Sequence, residues 1–313
     1  MCCSVLIIVL SLNTAIDRVL QVPLLTPGTV MRATETRSFA GGKGINVARN
    51  LLRLGEQVRV VGFLGGSAAA FIKERCAELG LEARWVDIAG ETRTCVTVLD
   101  AASGGQTVLN EPGPLITPLE IERLLDALQA SVSPGDLLCI SGTAARGMPD
   151  SAYGHIVQRM KGVGVRVLVD AGGPGLLSAI EAGVWAVAPN EDELRSATKA
   201  DAPVAEMART VAGEVEIVLV TLGRDGCIAA VDGRLWRARA PQIHELNAVG
   251  SGDAFVAGFL SATAQGLEPM EAVRLAVACG ASNALRYEPW IGSREEVESL
   301  RRQVEIENLA LPA

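Results

Sequence analysis

The chain has 313 residues, 49% of them hydrophobic and 20% charged, with a formal net charge of −8. This composition argues against disorder and supplies a large core, arranged as one large domain with an insertion or as two small ones. The acidic balance argues against nucleic acid as a partner but leaves room for a small anion held by local lysines and arginines. Seven cysteines (Cys2, Cys3, Cys76, Cys95, Cys139, Cys227, Cys279) are scattered without a Cys-x-x-Cys pair, and His155 and His244 are the two histidines. Neither a disulfide framework, a zinc site nor a Ser/His triad is indicated, and a reducing compartment is expected.

The chain opens on an apolar run over residues 5–10 that lacks a basic flank and reads as a buried first strand, not a signal peptide. Further short β-branched runs fall at 58–64, 137–140, 165–169, 185–188 and 217–220. Helix-length segments lie between them at 68–79, 118–130, 151–161 and 203–212. This alternation predicts an α/β fold, a mostly parallel sheet flanked by helices and built from strand-helix-strand units. The last third reads as helical, over 253–265, 269–285 and 294–304. Residues 13–40 and 81–112 alternate polar and apolar residues, as strands with one wet face do, and are expected to form a small β-sheet lid. The lid would lie over the C-terminal edge of the parallel sheet, where ligands bind in such folds. Residues 1–12, 41–80 and 113–313 would form the main domain. No run approaches the roughly 20 apolar residues that span a bilayer, so a cytoplasmic protein without a membrane partner is expected.

Two glycine clusters carry chemistry. Val249-Gly250-Ser251-Gly252-Asp253 precedes an apolar run able to start a helix whose first N–H groups stay unpaired, which makes an anion cradle. A carboxylate at such a mouth is electrostatically awkward unless it has chemical work, and a base beside a phosphate points to phosphoryl transfer. A tight turn with an acidic first-turn residue would carry the same tetrapeptide. The second cluster, Gly41-Gly42-Lys43-Gly44-Ile45-Asn46-Val47-Ala48, fits neither a Walker A loop nor the dinucleotide fingerprint, and offers another surface for close approach.

Together with Asn13-Thr14-Ala15-Ile16-Asp17, Ser141-Gly142-Thr143, Asp170, Pro189-Asn190-Glu191-Asp192-Glu193-Leu194 and Thr221-Leu222-Gly223-Arg224-Asp225-Gly226, these clusters stand in an order that resembles the ribokinase-like carbohydrate kinases, also called the phosphofructokinase B family. The resemblance covers nearly the whole chain. Thr107 to Pro114 and Ser282-Asn283-Ala284-Leu285 make it most similar to the branch of 1-phosphofructokinases and tagatose-6-phosphate kinases. Thr14, Ala248 and Gly172-Gly173-Pro174 depart from the usual family residues near the ligand.

The resemblance implies Asp253 as general base, with Gly250, Ser251 and Gly252 stabilising the transferring phosphoryl group. It implies sugar-phosphate contacts from Asp17, Arg32, Gly42, Lys43, Asn46, Arg93 and Ser141, the two arginines gripping the phosphate that does not react. ATP would meet Asn190, Thr221, Gly223, Gly226, Gly252 and Asn283. Asn190 and Glu193 would organise Mg²⁺ through water, although an asparagine followed three residues later by a glutamate is also a capping box. The implied reaction is ATP-dependent phosphorylation of a hexose phosphate, fructose 1-phosphate first, with tagatose 6-phosphate or fructose 6-phosphate as alternatives. A kinase of an unphosphorylated sugar and a non-catalytic sugar-phosphate sensor are the more distant readings. Some family members use a monovalent cation, and a homodimer through the lid is expected.

Overall fold

Four consecutive apolar residues at 7–10 have to be buried on both faces of a strand, and they place the first strand, β1 (Ile7–Ser11), in the middle of the molecule. The computed structural model describes residues 5–309, so Cys2 and Cys3 lie outside the described residues. The other strands are β2 (Ala15–Val22), β3 (Glu35–Gly41), β4 (Val58–Gly65), β5 (Glu82–Ile88), β6 (Arg93–Asp100), β7 (Gln106–Asn110), β8 (Leu137–Ser141), β9 (Arg166–Asp170), β10 (Ala186–Val187), β11 (Ile217–Thr221), β12 (Cys227–Val231), β13 (Arg234–Arg239) and β14 (Glu305–Asn308). The helices are α1 (Lys43–Leu54), α2 (Ala68–Glu78), α3 (Pro118–Gln129), α4 (Ala152–Val163), α5 (Gly173–Glu181), α6 (Glu191–Thr198), α7 (Val204–Val211), α8 (Ser251–Ala264), α9 (Pro269–Ala284) and α10 (Arg294–Arg301).

Among the described residues the main sheet has ten strands in the order β14-β13-β12-β11-β10-β9-β8-β1-β4-β5. Strands β5 to β11 along that order run parallel, and β12 to β14 add an antiparallel edge. Two cores follow from the period-2 pleat. Ile7 and Val9 of β1 enter one core with α1, α2, α8, α9 and α10, while Ile8 and Leu10 enter the other with α3 to α7. No helix of the described residues is long and apolar enough to cross a membrane.

The second sheet is four-stranded, in the order β3-β2-β6-β7. It differs from the expected lid at one strand. β5, within the expected lid segment 81–112, pairs in parallel with β4 at the edge of the main sheet, with Arg59 opposite Glu82 and Gly65 opposite Ile88. Its Val86 and Ile88 are buried in a main-sheet core while its other residues are exposed or half-buried. An edge strand with one face covered shows the same alternation as a strand of a small open sheet, so the pattern alone did not separate the two. The late helical stretch also stops early: α10 ends at Arg301, and the chain returns as β14 beside β13.

Candidate active site

The parallel strands bring Ser11 (β1), Ser141 (β8) and Thr221 (β11) to one edge, where they line a cleft of about 1100 Å³. The small sheet closes one side of it with Asp17, Arg93, Cys95, Thr97, Val108 and Asn110. Helix α8 starts at the cleft. Its cap, Gly250, has φ 83° and ψ −2°, a left-handed conformation that suits glycine, and a Cβ there would come within 2.8 Å of Pro289. No side chain caps the turn. The Ser251 N–H closes on Ala248 O at 3.1 Å, and helix geometry leaves the following N–H groups without intrahelical partners. The helix thus opens uncapped at the cleft, two residues earlier than the expected helix start at 253.

Asp253 sits in the first turn of α8, 5% exposed, with its carboxyl at the cleft. Burial pushes that carboxyl up, and Asp170 and Asp17 push the same way. Lys43 and a hydrogen bond from Asn46 pull it down, leaving it pushed up to about 7. Asn46 Nδ2 donates to Asp253 Oδ2 at 3.0 Å. Lys43 Nζ lies 3.6 Å from Asp170 Oδ2 and 3.5 Å from Glu193 Oε1. Asp170, and to a lesser degree Asp253 and Glu193, hold this lysine firmly protonated against the opposing effect of burial. Ser141 donates its hydroxyl to Asp170 Oδ2 at 2.7 Å, and burial raises Asp170. Three carboxyls and one lysine therefore stand close together at the cleft, Asp170 and Asp253 buried and Lys43 partly open to solvent.

On the small-sheet side, burial raises Asp17, opposed by a backbone bond from Gly42 and by the charges of Arg49 and Arg93. A Cβ at Gly41 would collide with its carboxylate. Arg93 Nε and Nη2 donate to Asn13 O at 3.2 and 3.1 Å, and Nη1 donates to Glu111 O at 3.1 Å. Both acceptors are neutral carbonyls. Among the described residues no carboxylate lies within ion-pair distance of Arg93, so its charge at the cleft is uncompensated by contact.

The opposite end of the cleft is lined by Asn190, Thr221, Gly223 and Gly226, backed by apolar Ile243, Phe255, Val277, Ala281 and Ala284. Asn190 and Glu193 form the capping box of α6: Asn190 Oδ1 accepts from Glu193 N–H at 2.8 Å and Glu193 Oε2 accepts from Asn190 N–H at 3.0 Å.

Two expected site residues lie elsewhere. Arg32 is exposed on the β2–β3 connection and does not line the cleft. Asn283 is fully buried in α9, where its Nδ2 donates to Val249 O at 2.9 Å and Ser251 Oγ at 3.2 Å. It braces the glycine turn and does not line the cleft. Conversely, Asn110, Thr97 and Arg224 line the cleft without having been singled out. Val108 and Asn110, two apart on β7, share a face, and that spacing was available in the sequence.

An uncapped helix end, a buried carboxylate of raised pKa and a charged lysine at the strand ends of an α/β sheet define a phosphotransferase acting on an alcohol group, a carbohydrate kinase. The chain belongs to the pfkB family of carbohydrate kinases, whose model matches residues 6–292. It is 30% identical to a Bacillus subtilis 1-phosphofructokinase, over 97% of this chain and 100% of that protein. It is also 30% identical to a Staphylococcus epidermidis tagatose-6-phosphate kinase, over 96% and 99%. The tetrameric inhibited form of Escherichia coli phosphofructokinase-2 superposes with a TM-score of 0.89 at 25% identity, covering 95% of this chain and 98% of that one.

The raised Asp253 pKa carries a stability prediction. Its folded value lies above the unfolded one, so the burial penalty is absent below the unfolded pKa and fully present above about 7. Asp253→Asn should therefore be more stable than wild type at pH 8, by on the order of a few kcal/mol, with the difference vanishing near pH 4. Urea unfolding at the two pH values checks this. An equal or lower stability of the variant at pH 8 would contradict a strained buried carboxylate.

Proposed function

We propose that this kinase transfers the γ-phosphoryl group of ATP to a hydroxyl of a ketohexose phosphate, fructose 1-phosphate being the first candidate and fructose 1,6-bisphosphate the product. The observation that carries the phosphorylated substrate is Arg93, whose guanidinium faces the cleft with only carbonyl partners. A fork in that state gains a charge-assisted pair when a phosphate arrives. The relatives named 1-phosphofructokinase and tagatose-6-phosphate kinase support the same class, and tagatose 6-phosphate and fructose 6-phosphate remain the alternatives.

In this reading Asp253 accepts the proton of the attacking hydroxyl, and the open N–H groups at the start of α8, with Lys43, receive the charge of the phosphoryl group in flight. Asp17 and Asn46 hold sugar hydroxyls. Asn190 and Glu193 offer only hard oxygens, one amide and one carboxylate, with Glu193 Oε1 3.5 Å from Lys43 Nζ. That donor set fits a largely hydrated Mg²⁺ better than a fully protein-bound one, and the ion would neutralise phosphate charge. The apolar wall at Ile243, Val277, Ala281 and Ala284 suits a nucleotide base. The reading places the enzyme in the cytoplasm, where ATP is supplied and thiols stay reduced.

A coupled assay across fructose 1-phosphate, fructose 6-phosphate, tagatose 6-phosphate and the free sugars tests the substrate class. Turnover of a free sugar in preference to every phosphate would overturn it. Arg93→Ala should raise KM for the sugar phosphate roughly 10- to 100-fold while leaving KM for ATP nearly unchanged. Asp253→Asn should lower kcat by about 10² to 10⁴, and near-normal turnover would remove Asp253 from the mechanism.

The outer face of the small sheet carries Leu20, Val96, Val98 and Leu109, the last 61% exposed. We infer that this face pairs with that of a second copy. Light scattering should give a dimer mass that falls to the monomer in Val96→Glu. A wild-type monomer at micromolar concentration would contradict the pairing.

A further inference from the structure

We propose that Arg49 is a positioning residue for the base: by claiming the oxygen of the Asn46 amide, it forces the amide nitrogen toward Asp253. This rests on the reading of Asp253 as the base. Arg49 lies one turn after Asn46 on α1 and is 5% exposed. Its Nη1 donates to Asn46 Oδ1 at 3.3 Å, and its Nη2 donates to the Ala40 carbonyl. The guanidinium carbon stands 5.1 Å from the Trp290 ring centroid, and Trp290 meets Phe39 of β3 edge-on at 5.5 Å. Asn46 then donates from Nδ2 to Asp253 Oδ2 at 3.0 Å.

The direction of this chain follows from donor chemistry. A primary amide accepts at one end and donates at the other, so it fits between two neighbours in two orientations unless one neighbour forbids a choice. Arginine has donors only and does not lose its proton in proteins, so it can face only the oxygen. With Oδ1 so engaged, Nδ2 is the end left for the carboxylate. The flipped amide would set two donors against each other at Arg49 and two acceptors against each other at Asp253. A lysine also has only donors, but its single nitrogen stands one bond short of the arginine Nη atoms and lacks the planar fork that serves Asn46 and Ala40 together.

The support behind Arg49 is unusual for a buried cation. Among the described residues no carboxylate lies within ion-pair distance, and burial pulls its pKa down. Trp290 and two oxygens hold the charge instead. The next turns of α1 are tied to the same segment: Asn50 Oδ1 accepts from Ile291 N–H at 2.8 Å, and Arg53 Nε donates to Ile291 O at 2.8 Å. The segment around 290–291 thus fixes the face of α1 that presents Asn46.

A role confined to gluing α1 to β3 and Trp290 would be structural, and the pH profile separates the two. The charged or titratable groups that face Asp253 are Lys43 and Arg49 from α1, Asp17 from β2, Asp170 from β9 and the buried Cys139 thiol of β8. Losing a donated hydrogen bond favours the protonated carboxyl. Arg49→Lys should therefore move the acid limb of kcat/KM for the sugar phosphate to higher pH, by about half a unit or more, and lower kcat at pH 7 by roughly 5- to 10-fold. KM for ATP should change less than about twofold. In an Asn46→Ala background the same Arg49→Lys change should add less than about twofold, because the relay is already cut.

Effects of Arg49→Lys that multiply with those of Asn46→Ala, or an unmoved acid limb in a folded variant, would overturn the relay. Thermal melts identify a variant that fails to fold. In that event Trp290→Leu, which removes the ring behind the guanidinium, should shift the limb in the same direction, and an unshifted limb would overturn the proposal equally. Asp253→Asn is measured alongside. If it keeps wild-type turnover, the base assignment fails and the relay with it. If it loses turnover while the Arg49 and Trp290 variants keep the wild-type profile, only the relay fails.

Discussion

A carboxylate buried at the edge of the cleft is the constraint around which this molecule is arranged. Moving the Asp253 carboxyl from its ordinary 3.8 to about 7 corresponds to roughly 4 kcal/mol against the charged form. That figure is already net of the hydrogen bond from Asn46 and the attraction of Lys43, both of which oppose burial. Desolvation still wins. The result is a carboxyl that is largely neutral below pH 7 and ionised above it, in the range that suits the proposed general base. A fully solvated aspartate would be ionised but weakly basic.

The fold places the groups that set this balance on separate elements converging at one edge. Asp253 comes with the start of α8, Asn46 and Lys43 with α1, Asp170 with the end of β9 and Asp17 with the small sheet. The two helices that approach the cleft, α1 and α8, both begin at glycines, Gly42 and Gly250, with positive φ and no side-chain cap. Their ends are open to a ligand for that reason. Gly258 lets α8 lie tightly on α9, since a Cβ there would come within 2.9 Å of the Ala276 backbone and Cys279 Sγ. That packing also lets Asn283 reach across to hold the glycine turn. The geometry of the glycine turn and the core packing are therefore the same set of contacts on this side of the sheet.

The fold class and the family were legible in the sequence because they rest on local signals: apolar runs of strand length, helix-length gaps and glycine clusters in order. Residues that line the cleft through backbone position, such as Gly42 and Gly250, were legible for the same reason. The failures share a cause. Whether 82–88 joins the small sheet or the main one depends on which neighbour it finds, and its wet-faced pattern suits both. Asn283 was expected at the nucleotide, yet the rotation of α9 turns its amide toward Val249 O and Ser251 Oγ. Arg49 is invisible as a site residue in one dimension, since its partners are Asn46 one turn away, Ala40 on a strand and Trp290 far along the chain.

The central claim is that Asp253 is a carboxyl with a near-neutral pKa. Carbon-13 NMR of protein labelled at its aspartate carboxyls follows that directly, with Asp253→Asn used to assign the resonance. A signal that titrates near pH 7 in wild type and is missing from the variant is the expected result. A signal assigned to Asp253 that is already fully ionised below pH 5 would contradict the account.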